Sequence, residues 1–144
     1  MMKLNSYLNF AGNAQEAFDF YRSVFGGEFS SAVRFKDMPM EGVTIPKEEE
    51  DRIMHISLPI GEDDVLMASD TLESHGQQLV QGNNVYVSAH ATSREEADRI
   101  FNALGEGAEI EMPIADQVWG DYFGSLKDKF GVQWMVSYSP PREG

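Results

Sequence analysis

The chain contains no cysteine. This absence excludes disulfide bonds, thiolate metal sites and cysteine nucleophiles. Long apolar runs are lacking too, and no stretch approaches the roughly 20 residues that a membrane-spanning helix needs. The segment 1–6 has neither the apolar run nor the small-residue cleavage site of a secretory signal peptide. We therefore expect a cytoplasmic protein without a membrane partner.

Basic residues are scarce: 11 Lys and Arg stand against 24 Asp and Glu, which gives a formal net charge of −13. Such a surface repels a phosphate backbone, so we expect no nucleic-acid partner. The plainest meaning of the charge is solubility. The sequence also has no Gly-x-Ser-x-Gly elbow, which argues against serine-nucleophile chemistry. It has no glycine-rich strand-to-helix loop followed by an acid roughly 20 residues later, which argues against dinucleotide binding.

What is present suits a globular fold. The 144 residues are 42% hydrophobic and 24% charged, which matches a single domain with a buried core. Nine Phe, five Tyr and two Trp make the chain rich in aromatic residues, whereas disordered chains are poor in them. We therefore expect an ordered domain.

The first half of the sequence reads as strand, helix and three strands. Alternation over 4–10 predicts a strand, and a helical apolar stripe over 14–25 predicts a helix. We expect Asn13 to cap this helix in a capping box with Glu16, and Gly26 with Gly27 to end it. The remaining predicted elements are strands over 28–35, 53–59 and 65–69, a polar mobile loop over 36–51 and a hairpin turn over 61–64.

The second half repeats this order. A strand is predicted over 85–90, and a helix follows a capping box of Ser93 and Glu96. Further strands are expected over 108–112, in the aromatic segment 118–126 and over 132–138, with a tight turn at 128–131. An offset of about 80 residues superposes the apolar stripes of the two helices, and an offset of 79 takes Tyr7 to Tyr86. We therefore predict two modules, about 1–71 and 84–138, with a linker over 72–83 and a tail over 139–144.

Three stretches carry a resemblance to a known family. They are residues 7–14 with the following Phe20-Tyr21 and 25–27, then residues 110–113, then Trp119-Gly120 with Phe123-Gly124 and 128–135. In these the chain resembles the PhnB-like branch of the vicinal oxygen chelate superfamily, which includes glyoxalases, bleomycin-resistance proteins and extradiol dioxygenases. The resemblance implies an α+β fold of two tandem βαβββ modules, whose curved mixed β-sheets form a cup. It also implies a homodimer, and a cup that holds a metal, a small organic ligand or both.

The same resemblance locates the metal ligands on the first and last strands of each module. The corresponding positions are Asn5, Met67, Val85 and Met135. None supplies the imidazole or carboxylate that a divalent ion takes in such sites, and neither 65–69 nor 132–138 contains an acid or histidine. We predict no metal at the usual superfamily centre and no cofactor, with a divalent metal on other ligands left as an alternative.

Two titratable residues are candidates for a catalytic base. His55 lies in the middle of a strand and faces the cup if Asn5 and Tyr7 do; the alternative is a hydrogen-bonded strand histidine. Asp70 follows the fourth strand and could act at the mouth of the cup; the alternative is a cap for the turn that follows it. Of the other histidines, we expect His75 to be solvated, and His90 to serve a turn or a dimer contact.

Without a metal, the expected wall of the cup mixes aromatic, Met and amide side chains. Its members are Asn5, Tyr7, Asn9, His55, Met67, Trp119, Tyr122, Phe123 and Met135. Such a mixture suits a small, partly apolar organic ligand. The alternative is that many of them are core residues, or that 119–123 forms a dimer interface; we assign Trp134 to packing under a helix.

Two functions therefore stay open. The first is a protein that binds or sequesters a small ligand without a metal. The second is an enzyme with altered metal ligands that acts on a small carbonyl or enolisable substrate, with His55 or Asp70 as base.

Overall fold

The computed structural model describes residues 2–141. The chain divides into two compact units, one ending at Val80 and one beginning at Gln81, and this boundary falls inside the predicted linker. Each unit contains one α-helix and one four-stranded sheet. Neither α-helix in the described range is long and apolar enough to cross a membrane.

The first unit consists of β1 (Ser6–Phe10), α1 (Ala14–Phe25), β2 (Ser31–Arg34), β3 (Ile53–Ile60) and β4 (Asp64–Asp70). The strand order across the sheet is β1-β4-β3-β2. β1 runs parallel to β4, whereas the other two pairings are antiparallel. The first and last strands of the unit are therefore neighbours.

The second unit consists of β5 (Val87–His90), α2 (Arg94–Leu104), β6 (Glu109–Asp116), β7 (Tyr122–Lys127) and β8 (Gln133–Tyr138). Its strand order is β5-β8-β7-β6, again with the first and last strands parallel. The two units thus share one topology, which confirms the predicted pair of βαβββ modules in a mixed-sheet α+β fold.

One face of the first sheet is covered by α1. The helix buries its predicted stripe, and the sheet contributes the apolar side chains that alternate toward it: Phe10, Ile56, Leu58, Leu66 and Ala68. Burying each larger apolar side chain contributes about 1.5–3 kcal/mol. We call the opposite face, to which the intervening strand residues point, the open face of the first sheet.

The second sheet is covered in the same way by α2, which buries its stripe above Leu126, Trp134 and Val136. Trp134 is 1% exposed, which confirms its assignment to packing under a helix. Gly124 is required by close approach, because a Cβ atom there would lie 2.8 Å from the ring of Phe101. The face opposite α2 is the open face of the second sheet.

The two helix starts differ in how they are capped. Ser93 behaves as predicted, since its Oγ accepts a hydrogen bond from the backbone N–H of Glu96 at 3.1 Å. The prediction for Asn13 is wrong, because its side chain makes no capping hydrogen bond. The carboxylate of Asp70, at the end of β4, occupies that role instead.

Strand bounds differ from the predictions mainly at their beginnings. β1 starts at Ser6 instead of Leu4, and β5 starts at Val87, so Val85 precedes the strand. β6 continues to Asp116, well past residue 112, and two register shifts against β7 interrupt its alternation. The tight turn over 128–131 is confirmed by a backbone hydrogen bond from Gly131 N to Asp128 O at 2.9 Å.

Candidate functional site

The open face of the first sheet gathers four of the predicted wall residues. Tyr7 pairs with Met67 and Asn9 pairs with Ser69 where β1 runs beside β4. These positions alternate with the buried Leu66 and Ala68, so their side chains point away from α1. His55 on β3 belongs to the same face, as its contact with Tyr7 shows.

Tyr7 and His55 form a pair on this face. The hydroxyl of Tyr7 lies 3.1 Å from Nδ1 of His55, and the ring centroids are 5.7 Å apart with an interplanar angle of 29°. The strand that carries Met67 lies between β1 and β3, so the pair spans one strand. Tyr7 is 47% exposed, which leaves aromatic surface accessible.

The tautomer of His55 decides what the pair can do. If the Tyr7 hydroxyl donates to Nδ1, neutral His55 carries its proton on Nε2 and offers a donor there. If Nδ1–H donates to the phenol oxygen, Nε2 is an acceptor and can act as a base. The geometry is compatible with both arrangements.

The two predicted amides differ in their placement. Asn9 accepts a hydrogen bond from Ser69 Oγ at 3.2 Å on the open face, which orients its carbonyl oxygen. Asn5 precedes β1, and its Oδ1 accepts from the backbone N–H of Val65 at 3.4 Å. Asn5 therefore holds the start of β4, whereas Asn9 lies among the open-face residues.

Asp70 points to the other side of the sheet. It is 3% exposed, and its Oδ1 accepts hydrogen bonds from the backbone N–H groups of Gly12 at 3.0 Å and Ala14 at 2.9 Å. Its Oδ2 accepts from the backbone N–H of Ile53 at 2.8 Å. The expected cap of the turn after β4 is thus replaced by a cap of α1. A buried carboxylate held by three backbone donors is not placed to take a proton from a substrate.

The second sheet presents three predicted wall residues on its own open face. Met135 pairs with Ser125, and Phe123 pairs with Ser137, so both side chains point away from α2. The rings of Trp119 and Phe123 meet edge to face, with centroids 5.7 Å apart at 67°. Trp119 is 49% exposed, so this face too carries accessible aromatic surface.

Tyr122 does not share that face. Its hydroxyl donates to a carboxylate oxygen of Asp98 on α2, and the guanidinium of Arg94 lies 4.2 Å from its ring centroid. The hydrogen bond to Asp98 raises the pKa of Tyr122 above its ordinary value. Arg94 also pairs with Asp116 at 2.8 Å. Tyr122 thus belongs to the packing of α2 on its sheet, apart from Phe123.

Comparison with known proteins identifies the family of the chain. The model of the glyoxalase/bleomycin resistance protein/dioxygenase superfamily matches residues 3–136. The chain belongs to this superfamily. Protein YjdN of Escherichia coli K12 is 31% identical over 146 residues, covering 94% of this chain and 95% of YjdN. The resemblance found in the sequence is thereby confirmed.

Two solved structures agree with this assignment. Protein PA1353 of Pseudomonas aeruginosa is 35% identical with a TM-score of 0.85, covering 96% of this chain and 98% of its own. A PhnB protein from Bacillus cereus is 26% identical with a TM-score of 0.74, covering 96% and 100%. Members of the superfamily commonly form dimers and bind small molecules.

The superfamily metal centre does not fit the residues of this chain. At the predicted ligand positions, Met67 and Met135 offer thioethers, and Val85 offers no donor. On the open face of β1 to β4, His55 is the one side chain of the His, Asp or Glu type. Across residues 2–141, no three such side chains come together in a way that could hold an ion. The residues present therefore do not support a metal at the usual superfamily position.

Two polar groups on the open face of the second sheet, Tyr86 and His90, are absent from the predicted wall of the cup, His90 being predicted for a turn or a dimer contact. Tyr86 donates to Glu111 at 2.8 Å, a hydrogen bond that raises the pKa of Tyr86. His90 lies between Ser137, 3.0 Å from Nδ1, and Ser88, 3.2 Å from Nε2. The period of two along β5 could have indicated a shared face for residues 86, 88 and 90. Nothing in the sequence indicated their partners on β6 and β8.

Proposed function

We propose that the open face of the first sheet binds a small, partly apolar organic molecule without the superfamily's usual metal. The observation that carries this proposal is the Tyr7–His55 pair, which is stacked, hydrogen-bonded and accessible on a face that α1 does not cover. An aromatic hydroxyl and an imidazole held in one place can orient the polar end of a ligand. The neighbouring Met67 adds apolar surface that adapts to the shape of a ligand.

The composition of this face supports a neutral or weakly polar ligand. Its polar groups are the Tyr7–His55 pair, Asn9 and serine hydroxyls, and within residues 2–141 it lacks the Arg and Lys pairs that hold a phosphonate or phosphate dianion. The open face of the second sheet has a similar character, with the Trp119–Phe123 contact beside Met135. We propose that this second surface also contacts a ligand and that the protein functions as a homodimer.

A second function is favoured by the same pair. With Nδ1–H donating to Tyr7, His55 would present a free Nε2 that can remove a proton from the carbon next to a carbonyl group. This would make the protein an enzyme for a small enolisable substrate. Asp70 is not proposed as an alternative base, because its oxygens are held by three backbone donors.

The test begins with the protein as purified. Metal content is measured by elemental analysis, and native mass spectrometry looks for an organic molecule retained by the folded chain. Thermal-shift series with divalent ions follow. We expect no stoichiometric metal, no specific stabilisation by Ni²⁺, Zn²⁺ or Fe²⁺, and a retained or rebinding organic molecule. A tightly held stoichiometric metal would overturn the proposal.

Matched variants locate the site and separate the two functions. His55→Gln removes the imidazole beside Tyr7, whereas His90→Gln makes the same change on the second sheet. Binding at the first open face predicts loss of the retained molecule in the first variant and its persistence in the second, whereas loss in His90→Gln alone would assign the molecule to the open face of the second sheet. Turnover of a carbonyl substrate that disappears in His55→Gln alone would favour the enzyme over the binding protein.

A further inference from the structure

The first unit contains a cavity separate from the Tyr7–His55 pair. Its volume is about 390 Å³, within the range of small-molecule sites. It is open to solvent and lies between two loops, the first over residues 35–51 and the second over residues 71–77. Its lining is apolar at Phe35, Met40, Val43, Met54 and Leu72, and polar at Ser69, Asp70, His75 and Gln77.

Side-chain contacts tie the two loops together around this cavity. His75 of the second loop contacts the backbone oxygen of Thr44 in the first at 3.0 Å. Arg52, which follows the first loop, pairs with Glu73 in the second and lies 3.8 Å from the buried Glu49 in the first. These contacts connect the two loops that line the cavity. A site that is preorganised in this way loses less conformational entropy when a ligand binds.

The hydrogen bonds at the rim define what the cavity offers a ligand. A carbonyl oxygen only accepts, so the contact with Thr44 requires a proton on Nε2 of His75 and leaves Nδ1 of the neutral ring as an acceptor. Gln77 uses its Oε1 to accept from the backbone N–H of Leu72 at 2.7 Å. Within residues 2–141 its Nε2 has no hydrogen-bond partner, so it is a free donor.

Charge narrows the class of ligand further. Among the residues that the structure describes, no Lys or Arg side chain lines the cavity, and the chain carries a net charge of −13, so an anion is disfavoured. The one charged group in the lining, Asp70, already accepts three backbone hydrogen bonds, so a cation gains little from it. A neutral molecule with an apolar body and one donor and one acceptor fits best.

We propose that this two-loop cavity binds a small neutral amide or a similar molecule, with Nδ1 of His75 accepting its N–H and Nε2 of Gln77 donating to its carbonyl. The apolar body lies against Met54 and Leu72. This site borders the open face at Ser69 but does not include Tyr7 or His55, so binding at one site can be distinguished from binding at the other.

The probe is benzamide, with benzoate and benzylamine as charged analogues of similar shape. The protein is labelled with ¹³C at its methionine methyl groups and titrated by NMR. We expect benzamide to shift the methyl signals of Met40 and Met54, which line the cavity, and to leave those of Met67 and Met135 in place. Shifts confined to Met67 or Met135, or no shift of any methionine, would overturn the proposal, as would tighter binding of either charged analogue.

A matched pair of variants tests the hydrogen bond. Gln77→Glu keeps the oxygen that accepts from Leu72 and removes the donor, while Gln78→Glu makes the same charge change at the next exposed position. Benzamide affinity should fall about 3- to 10-fold in Gln77→Glu, as expected for one hydrogen bond, and stay at the parent value in Gln78→Glu. Equal affinities in both variants would remove Gln77 from the site.

Discussion

Asp70 joins three parts of the first unit, and its replacement by asparagine should be costly. The carboxylate receives backbone N–H groups from Gly12, Ala14 and Ile53 while it is 3% exposed. In Asp70→Asn one amide oxygen can keep two of these donors, but the new NH₂ group faces the third. That substitution removes a hydrogen bond to a charged acceptor, worth about 1.5–3 kcal/mol, and leaves a buried donor without a partner.

The expected loss of unfolding free energy is therefore about 2–4 kcal/mol, which corresponds to a fall in Tm of roughly 5–15 °C for a chain of this length. Urea unfolding followed by far-UV circular dichroism measures it. Asp63→Asn is the matched control, because Asp63 is exposed in the turn between β3 and β4. An unfolding free energy of Asp70→Asn within about 0.5 kcal/mol of the control's would refute the assignment of Asp70 as a structural acceptor.

Three further predictions follow from single contacts. Tyr7→Phe removes the hydroxyl beside His55 and should weaken ligand binding at the open face about 3- to 10-fold without altering the urea midpoint; a large loss of stability would contradict its exposed position. Gly124→Ala places a methyl group against α2 and β6 and should destabilise the protein by about 1–3 kcal/mol in the same urea assay, so an unchanged midpoint would contradict the packing. The Asp98 hydrogen bond raises the pKa of Tyr122 above 10.0, so its stabilising effect is complete below about pH 10 and lost as the pH rises through the raised value. Stability of Tyr122→Phe should therefore fall less steeply above pH 10 than that of the parent, and an equal slope would contradict the role of the hydrogen bond.

Local signals predicted the elements of the fold well because those signals act over a few residues. The helix predicted over 14–25 has those bounds in the structure, as an apolar stripe and a glycine pair define it without help from distant residues. The prediction of the cap of that helix was wrong because the true acceptor is distant in the sequence. Asn13 is the best local candidate, yet Asp70 supplies the acceptor from 56 residues away, and no local pattern encodes that contact.

The open face of the first sheet could be predicted in part from strand alternation. Alternation along β1 assigns Tyr7 and Asn9 to one face, whereas the run of β4 over 65–68 is apolar throughout and Met67 was placed by the family resemblance. In the structure the side chains of all three share the open face. The aromatic segment 118–126 gave no such alternation, so Tyr122 and Phe123 were grouped although adjacent residues on β7 point to opposite faces. The pairing of Tyr7 with His55 depends on β4 lying between their strands, which only the sheet order reveals.

The parallel pairing of the first and last strands in each unit has a consequence for synthesis of the chain. Contacts between β1 and β4 join residues 60 positions apart, and contacts between β5 and β8 join residues 47 positions apart. During synthesis, β1 therefore has no β4 to pair with until almost all of the first unit has emerged from the ribosome. Such distant pairing slows folding relative to a chain of local hairpins. The hairpin of β3 and β4 is the element that can form first, and the earlier strand must then be captured onto it.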